Sequence, residues 1–164
     1  MRLQSYLTET KKNIVIKTLN QMNDKDVKDF FSLMKYGDSY SNIDSIKKYG
    51  LFFGFAYVDD ILASVAAIKN NYRVDDVFEA SETEENPDDY NYEIGWAYTL
   101  PEYRKMGLNK SLYKELLSKV SGGVIATVRL GNNISTNSLK SLGFEITGDE
   151  IVSTNKIYLM IKKP

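Results

Sequence analysis

The stretch YRKMGLNKSL, residues Tyr103–Leu112, determines how the rest of this chain is interpreted. It follows the apolar run IGWAYTLP (Ile94–Pro101) and opens the helix-like stretch LNKSLYKELLSKV (Leu108–Val120). This pattern predicts a strand that ends at a proline, a short basic loop and then a helix. The first N–H groups of a helix have no intrahelical partner, and the helix dipole favours an anion beside them. The junction is therefore suited to binding a phosphate.

Four residues of the loop strengthen this interpretation. Gly107 can adopt a positive φ and lets a ligand approach the backbone closely. Arg104, Lys105 and Lys110 add positive charge around it. From these residues alone, a plain strand–turn–helix junction with a solvated basic rim remains the alternative.

Composition limits the possible chemistry. The chain has 164 residues, 43% of them hydrophobic and 26% charged, which predicts one globular domain over residues 1–164. It contains no cysteine and no histidine, so a thiolate nucleophile, a Ser-His-Asp triad and a conventional zinc site are excluded, and no metal site is expected. The N-terminus lacks an apolar signal core and no apolar run reaches ~20 residues, so we expect a cytoplasmic protein with no membrane partner.

Charge is distributed unevenly along the chain. Residues 75–100 carry nine acids and no base, whereas residues 101–164 carry ten bases and five acids. This arrangement suits an anionic ligand on one side of the strand and a cationic one on the other, and it is not the continuous basic face of a nucleic-acid-binding protein. The acidic segment 75–89 is either a solvated loop or a surface that gathers a cationic amine.

Periodicity and turn signals predict an α/β fold with a mixed, mostly antiparallel central sheet flanked by helices. Residues 70–91 are polar and irregular, and we expect a long loop there. The Asp59-Asp60 pair between two apolar runs indicates a hairpin. The predicted strands are 13–19, 51–58, 61–69, 92–99, 124–130, 144–148 and 156–161, and the predicted helices are 24–36, 41–49, 108–120 and 134–142.

Two motifs in this order resemble the GNAT superfamily of N-acetyltransferases. The superfamily's acetyl-CoA loop has Arg or Gln, two residues, Gly, one residue, then Gly or Ala, and Arg104–Asn109 follows it except that Asn109 replaces the last small residue. The stretch NNISTNSLKSLGF, residues 132–144, is similar to a second motif of an asparagine followed by a short helix ending in Leu-Gly-Phe. Many members carry a proton-donating tyrosine where this chain has Leu139.

The resemblance implies acetyl-CoA as cosubstrate, and it implies that the fourth strand splays from the fifth. The free amides of that strand would hold the pantetheine arm and the carbonyl, the loop would hold the pyrophosphate, and Asn132 would contact the arm. The implied cofactor-binding residues are Ala97, Tyr98, Thr99, Arg104, Lys105, Met106, Gly107, Leu108, Asn109, Lys110 and Asn132.

Glu93 is the implied general base for an amine that attacks the thioester directly. Strand alternation predicts that Glu93 shares a face with Gly95, Ala97 and Thr99, and that Trp96 points away from it. The missing acid would be replaced by water or by Tyr92, Tyr98 or Tyr158.

The acceptor is expected to be a small-molecule or protein amine, and a homodimer is possible. The alternative function is a catalytically inactive CoA-binding or regulatory module, which Asn109 and Leu139 favour.

Overall fold

One seven-stranded sheet runs through the part of the chain that the structure describes, residues 9–37 and 41–164 of a computed structural model. The strands are β1 (Lys12–Lys17), β2 (Gly50–Val58), β3 (Ile61–Asn70), β4 (Tyr92–Thr99), β5 (Val124–Arg129), β6 (Glu145–Val152) and β7 (Lys156–Lys162). The α-helices are α1 (Asp24–Tyr36), α2 (Ile43–Tyr49), α3 (Val74–Ser81), α4 (Leu108–Leu117) and α5 (Asn133–Lys140). The predicted α/β class is confirmed.

The strand order is β1-β2-β3-β4-β5-β7-β6. Every neighbouring pair is antiparallel except β4 and β5, which are parallel, so the sheet is mixed and mostly antiparallel as predicted. Asp59 and Asp60 close the β2–β3 hairpin with positive φ values of 48° and 68°, the backbone that a tight two-residue turn requires. A homodimer stays a prediction.

The helices cover both faces of the sheet. On the face we call the α4 face, Leu112 and Leu116 of α4 and Leu139 of α5 are fully or almost fully buried. On the opposite face, called the α1 face, α1 and α2 bury Phe30 and Ile46 over the N-terminal strands, and α3 packs over β6 and β7. None of the described helices is both long and apolar enough to cross a membrane.

The loop predicted over residues 70–91 is wrong in part, because α3 forms inside it. Val74, Val77, Phe78 and Ser81 recur at helical spacing, and the last three are buried. Burying an apolar side chain of this size stabilises the folded state by about 1.5–3 kcal/mol. The few apolar residues of the segment are therefore sufficient to hold the helix against the sheet. The acidic side chains lie on the other side of the helix, which ends at Glu82 with a φ of 51°.

A β-bulge interrupts β4, and it makes the predicted alternation wrong beyond Gly95. Trp96 has a φ of 48°, and the register with β3 shifts between Val65 and Ala67. The bulge inserts one extra residue into the strand, so the side chains after it lie on the face opposite to the one that simple alternation predicts. As a result Trp96 and Tyr98 pack into the core of the α1 face, whereas Ile94 and Ala97 pack on the α4 face.

Candidate functional site

The predicted splay between β4 and β5 is present. Only Tyr92 pairs with Val124 and Glu93 with Ile125, although β4 continues to Thr99. Beyond Glu93 the edge of β4 that faces β5 is therefore unpaired, and its backbone groups are open to a ligand. A cavity of about 640 Å³ lies along the split and is lined from both faces of the sheet.

The α4-face side of this cavity is largely apolar. It is lined by Ala97 of β4, Tyr113 of α4 and Leu139 of α5. Asn132 lies at its rim and caps α5, where its Oδ1 accepts a hydrogen bond from the Ser135 amide at 3.2 Å. An apolar lining with polar side chains at its rim suits a chain such as pantetheine.

The α1-face side of the cavity contains a buried ion pair. Lys69 Nζ lies 3.1 Å from Glu93 Oε1, and the two side chains are 11% and 12% exposed. The same ammonium lies 4.8 Å from the centroid of the Trp96 ring, a cation–π contact. Trp96 Nε1 donates to Ser41 Oγ at 2.8 Å. Glu93 is thus held in place, and its Oε2 has no hydrogen-bond partner in the part of the chain that the structure describes.

The loop before α4 has the backbone of an anion cradle. Lys105 and Gly107 both have positive φ values, 64° and 74°. No side chain caps α4, and a Cβ added at Gly107 would meet nothing within 4 Å. Lys12 Nζ donates to the Met106 carbonyl at 3.0 Å, which fixes the loop against β1. The amides of Leu108 and its neighbours are therefore presented to solvent, as a bound pyrophosphate requires.

Arg104 does not lie beside these amides. Its Nε donates to the Thr99 carbonyl at 3.3 Å, and its guanidinium is 5.9 Å from the Tyr98 ring. The Thr99 hydroxyl is also engaged, 2.7 Å from Ser64 Oγ. The side chains of Arg104, Tyr98 and Thr99 thus stabilise the end of β4, and their predicted contacts with a cosubstrate stay a prediction.

Asn109, the departure from the motif, is turned inward. Its Oδ1 is buried and has no hydrogen-bond partner among the described residues. One turn later, burial raises the pKa of Tyr113 to about 12, and hydrogen bonding from the Asn109 side chain opposes that rise. The Asn109 amide therefore faces Tyr113 and carries an unsatisfied oxygen.

Replacing Asn109 with alanine is expected to raise the free energy of unfolding by roughly 1 kcal/mol. The change removes a buried unsatisfied oxygen, which costs about 1–3 kcal/mol, and gives up the hydrogen bond to Tyr113, which contributes about 0.5–1.5 kcal/mol. Urea denaturation provides the measurement. Asn137→Ala is the matched control, because Asn137 is an exposed asparagine inside α5, so the substitution changes propensity alone. An Asn109 variant no more stable than the control would contradict the buried-oxygen argument.

The structure brings together only some of the predicted site residues. Glu93, Ala97 and Asn132 line the cavity, whereas residues 104–110 form the separate cradle at the start of α4. Lys69, Arg73 and Tyr113 also line the cavity, and the sequence pattern alone did not identify them. The sequence does indicate that Lys69 needs a charged partner, because it is a lysine at the end of an apolar strand. It does not indicate which partner, because that depends on the register between β3 and β4.

The acidic segment does not lie at the cavity. Between residues 75 and 89 no described side chain lines it. Glu85 instead pairs with Lys163 at 2.9 Å and accepts a hydrogen bond from Tyr90 at 2.8 Å. The proposal that this segment gathers a cationic amine beside Glu93 has no support in the geometry.

Solved structures share this fold. An acetyltransferase of the GNAT family from Streptococcus agalactiae is 16% identical, with a TM-score of 0.70 over 92% of this chain and 95% of that one. A putative acetyltransferase, yncA, from Salmonella typhimurium, solved with acetyl-CoA, is 13% identical, with a TM-score of 0.63 over 92% and 93%. Arabidopsis thaliana Naa50, solved with the bisubstrate analogue CoA-Ac-MVNAL, is 18% identical, with a TM-score of 0.63 over 92% and 99%.

At these identities the similarity establishes the fold alone, and no curated protein matches the chain. A family model gives the stronger result. The model of the acetyltransferase (GNAT) family matches residues 19–144, which is most of the chain and includes β4, the cradle and α5. The chain therefore belongs to the acetyltransferase (GNAT) family.

Proposed function

We propose that this protein is an N-acetyltransferase that transfers the acetyl group of acetyl-CoA to a primary amine by direct attack, with Glu93 as the general base. One observation carries the proposal. The unpaired edge of β4 begins directly after Glu93, beside the cavity, and runs toward the loop that forms the cradle. Family membership and the acetyl-CoA bound to a structural neighbour support the choice of cosubstrate.

The residues present fit acetyl-CoA, which supplies an activated acetyl thioester. The amides at the start of α4 would bind its pyrophosphate, and Lys105 and Lys110 would add charge. The apolar side of the cavity, with Ala97 and Asn132, would hold the pantetheine arm. The unpaired amides of β4 would donate to the thioester oxygen, where negative charge develops during acyl transfer.

Glu93 would accept the proton that the amine loses. An ammonium group cannot attack a carbonyl, so the acceptor must first become a neutral amine. The ion pair with Lys69 occupies Oε1 and leaves Oε2 for the acceptor or for a bridging water. This carboxylate is 9% exposed, so few water molecules compete with the acceptor for it.

Tyr113 is the hydroxyl best placed to protonate the leaving group. Leu139, at the usual position of the proton donor, is 1% exposed and lines the cavity. None of Tyr92, Tyr98 and Tyr158 lines it. The phenol of Tyr113 is protonated at neutral pH, as that of any tyrosine is, and the burial that raises its pKa to about 12 makes it a weaker acid than an exposed tyrosine.

The proposal is tested by cosubstrate binding and by CoA release. At about one hundred times its Kd, acetyl-CoA stabilises the folded protein by about 2.7 kcal/mol, so Tm should rise by roughly 5–10 °C. CoA release from a panel of amines is then followed with a thiol-reactive dye, which has no background because the chain contains no cysteine. No shift in Tm would contradict the proposal. A shift without CoA release from any amine would instead support the inactive CoA-binding module.

A further inference from the structure

The α1-face side of the cavity is lined by more cations than anions among the described residues. Lys69 and Arg73 carry positive charge there, and Glu93 carries negative charge. Since Glu93 already pairs with Lys69, a second positive group on an acceptor would meet Arg73 and no further acid among the described residues that line the cavity. This wall disfavours polyamine-like acceptors.

Arg73 is placed to receive an anion. It lies at the cap position before α3, and its side chain is exposed and lines the cavity. No acidic group of a described residue lies within 4 Å of it, although Asp75 and Asp76 follow in the first turn of α3. A guanidinium has a planar fork of donors that fits the two oxygens of a carboxylate or phosphate.

We propose that the acceptor is a small amine that also carries an anionic group, which binds Arg73 while the amine lies at Glu93. This rests on the proposed acetyl transfer and specifies its substrate class. The chain path limits the size of the molecule. Lys69 pairs with Glu93 across the strands, and Arg73 lies four positions after Lys69, so the Cα atoms of Lys69 and Arg73 lie at most roughly 14 Å apart. This distance is an upper limit, and both Arg73 and Glu93 line the same cavity, so the acceptor is a small molecule such as an amino acid or an amino-alkyl phosphate.

Matched ligand pairs test the proposal by calorimetry on the full chain with CoA bound. One pair is an ω-amino acid and its amide, and the other is an amino alcohol and its phosphate ester. We expect the anionic member to bind at least tenfold more tightly, because only its charged oxygens can accept charge-assisted hydrogen bonds from the guanidinium. The two pairs also distinguish a carboxylate ligand from a phosphate ligand.

Arg73→Gln should abolish that preference and leave binding of the neutral members unchanged. Lys119→Gln is the matched control, because Lys119 is an exposed lysine that does not line the cavity. In turnover, Arg73→Gln should raise KM for the anionic amine about tenfold or more with little change in kcat. Equal binding of the paired ligands, or tighter binding of spermidine than of any anionic amine, would overturn the proposal.

The two levels of inference fail differently. Rapid acetylation of neutral amines with no gain from an added anion would refute the anionic acceptor and keep the acetyltransferase. Arg73-dependent binding of anionic amines without any CoA release would support the anion site and refute the catalytic function.

Discussion

Replacing Glu93 with glutamine is expected to lower kcat/KM for the amine by about 10²–10⁴-fold near neutral pH. Glutamine keeps the size and one oxygen of the side chain but cannot accept the proton that the acceptor's ammonium group must lose before its nitrogen attacks. Acetyl-CoA affinity should stay unchanged, because the cradle is formed by residues 104–110 and not by Glu93. Initial rates of CoA release and a thermal-shift titration with acetyl-CoA provide the two measurements.

The ion pair with Lys69 complicates this experiment. Removing one charge of a buried pair leaves the other uncompensated and typically costs 3–5 kcal/mol, so the single variant could lose activity by unfolding. The double variant Glu93→Gln/Lys69→Met removes both charges and keeps a long side chain over the Trp96 ring. We expect it to recover stability and remain inactive. Recovery of activity together with stability would show that Glu93 is structural and not the base.

Replacing Gly107 with aspartate is expected to weaken acetyl-CoA binding about 100-fold more than replacing it with asparagine. Both residues tolerate the left-handed backbone that Gly107 adopts at a φ of 74°, and neither Cβ meets an atom within 4 Å. The two variants differ only in the carboxylate charge, which would repel a pyrophosphate at the start of α4. A 100-fold loss corresponds to about 2.7 kcal/mol, which lies within the range of about 1–4 kcal/mol for one charge pair at 4 Å near a protein surface.

Calorimetric titration with acetyl-CoA at low and high salt measures the difference between the two variants. Salt should reduce it, since these exposed charges are screened over about 10 Å at 0.1 M. The Tm values without ligand should agree within a few degrees, which controls for backbone strain. Equal Kd values for the two variants would place the pyrophosphate elsewhere.

Much of the fold follows from local patterns in the sequence. The helix over residues 24–36, the Asp59-Asp60 turn and the strand before Pro101 each depend on residues close together in the chain, and each is confirmed. The helix α3 was missed because its acidic composition concealed the spacing of Val74, Val77 and Phe78. The bulge at Trp96 has no local signal, because it depends on how β4 aligns with β3 across an intervening segment of 21 residues, 71–91.

The candidate site was predictable only where backbone chemistry defines it. Gly107 and the uncapped start of α4 follow from a glycine between a strand and a helix. The groups around Glu93 do not follow from local sequence. The Lys69 contact depends on strand register, and Arg73 lines the same cavity because of where α3 begins. The inward turn of Asn109 likewise depends on space beside Tyr113 that no periodicity reveals.

The splay of β4 from β5 has a consequence for the order of events. The cavity is lined from both faces of the sheet, so under the proposed function acceptor and cosubstrate would arrive from opposite directions without displacing one another. A complex that contains both can form before any bond changes. In such a ternary complex the acetyl group passes directly to the acceptor, without an intermediate in which the protein itself is acetylated. This agrees with a chain that has neither cysteine nor histidine to form that intermediate.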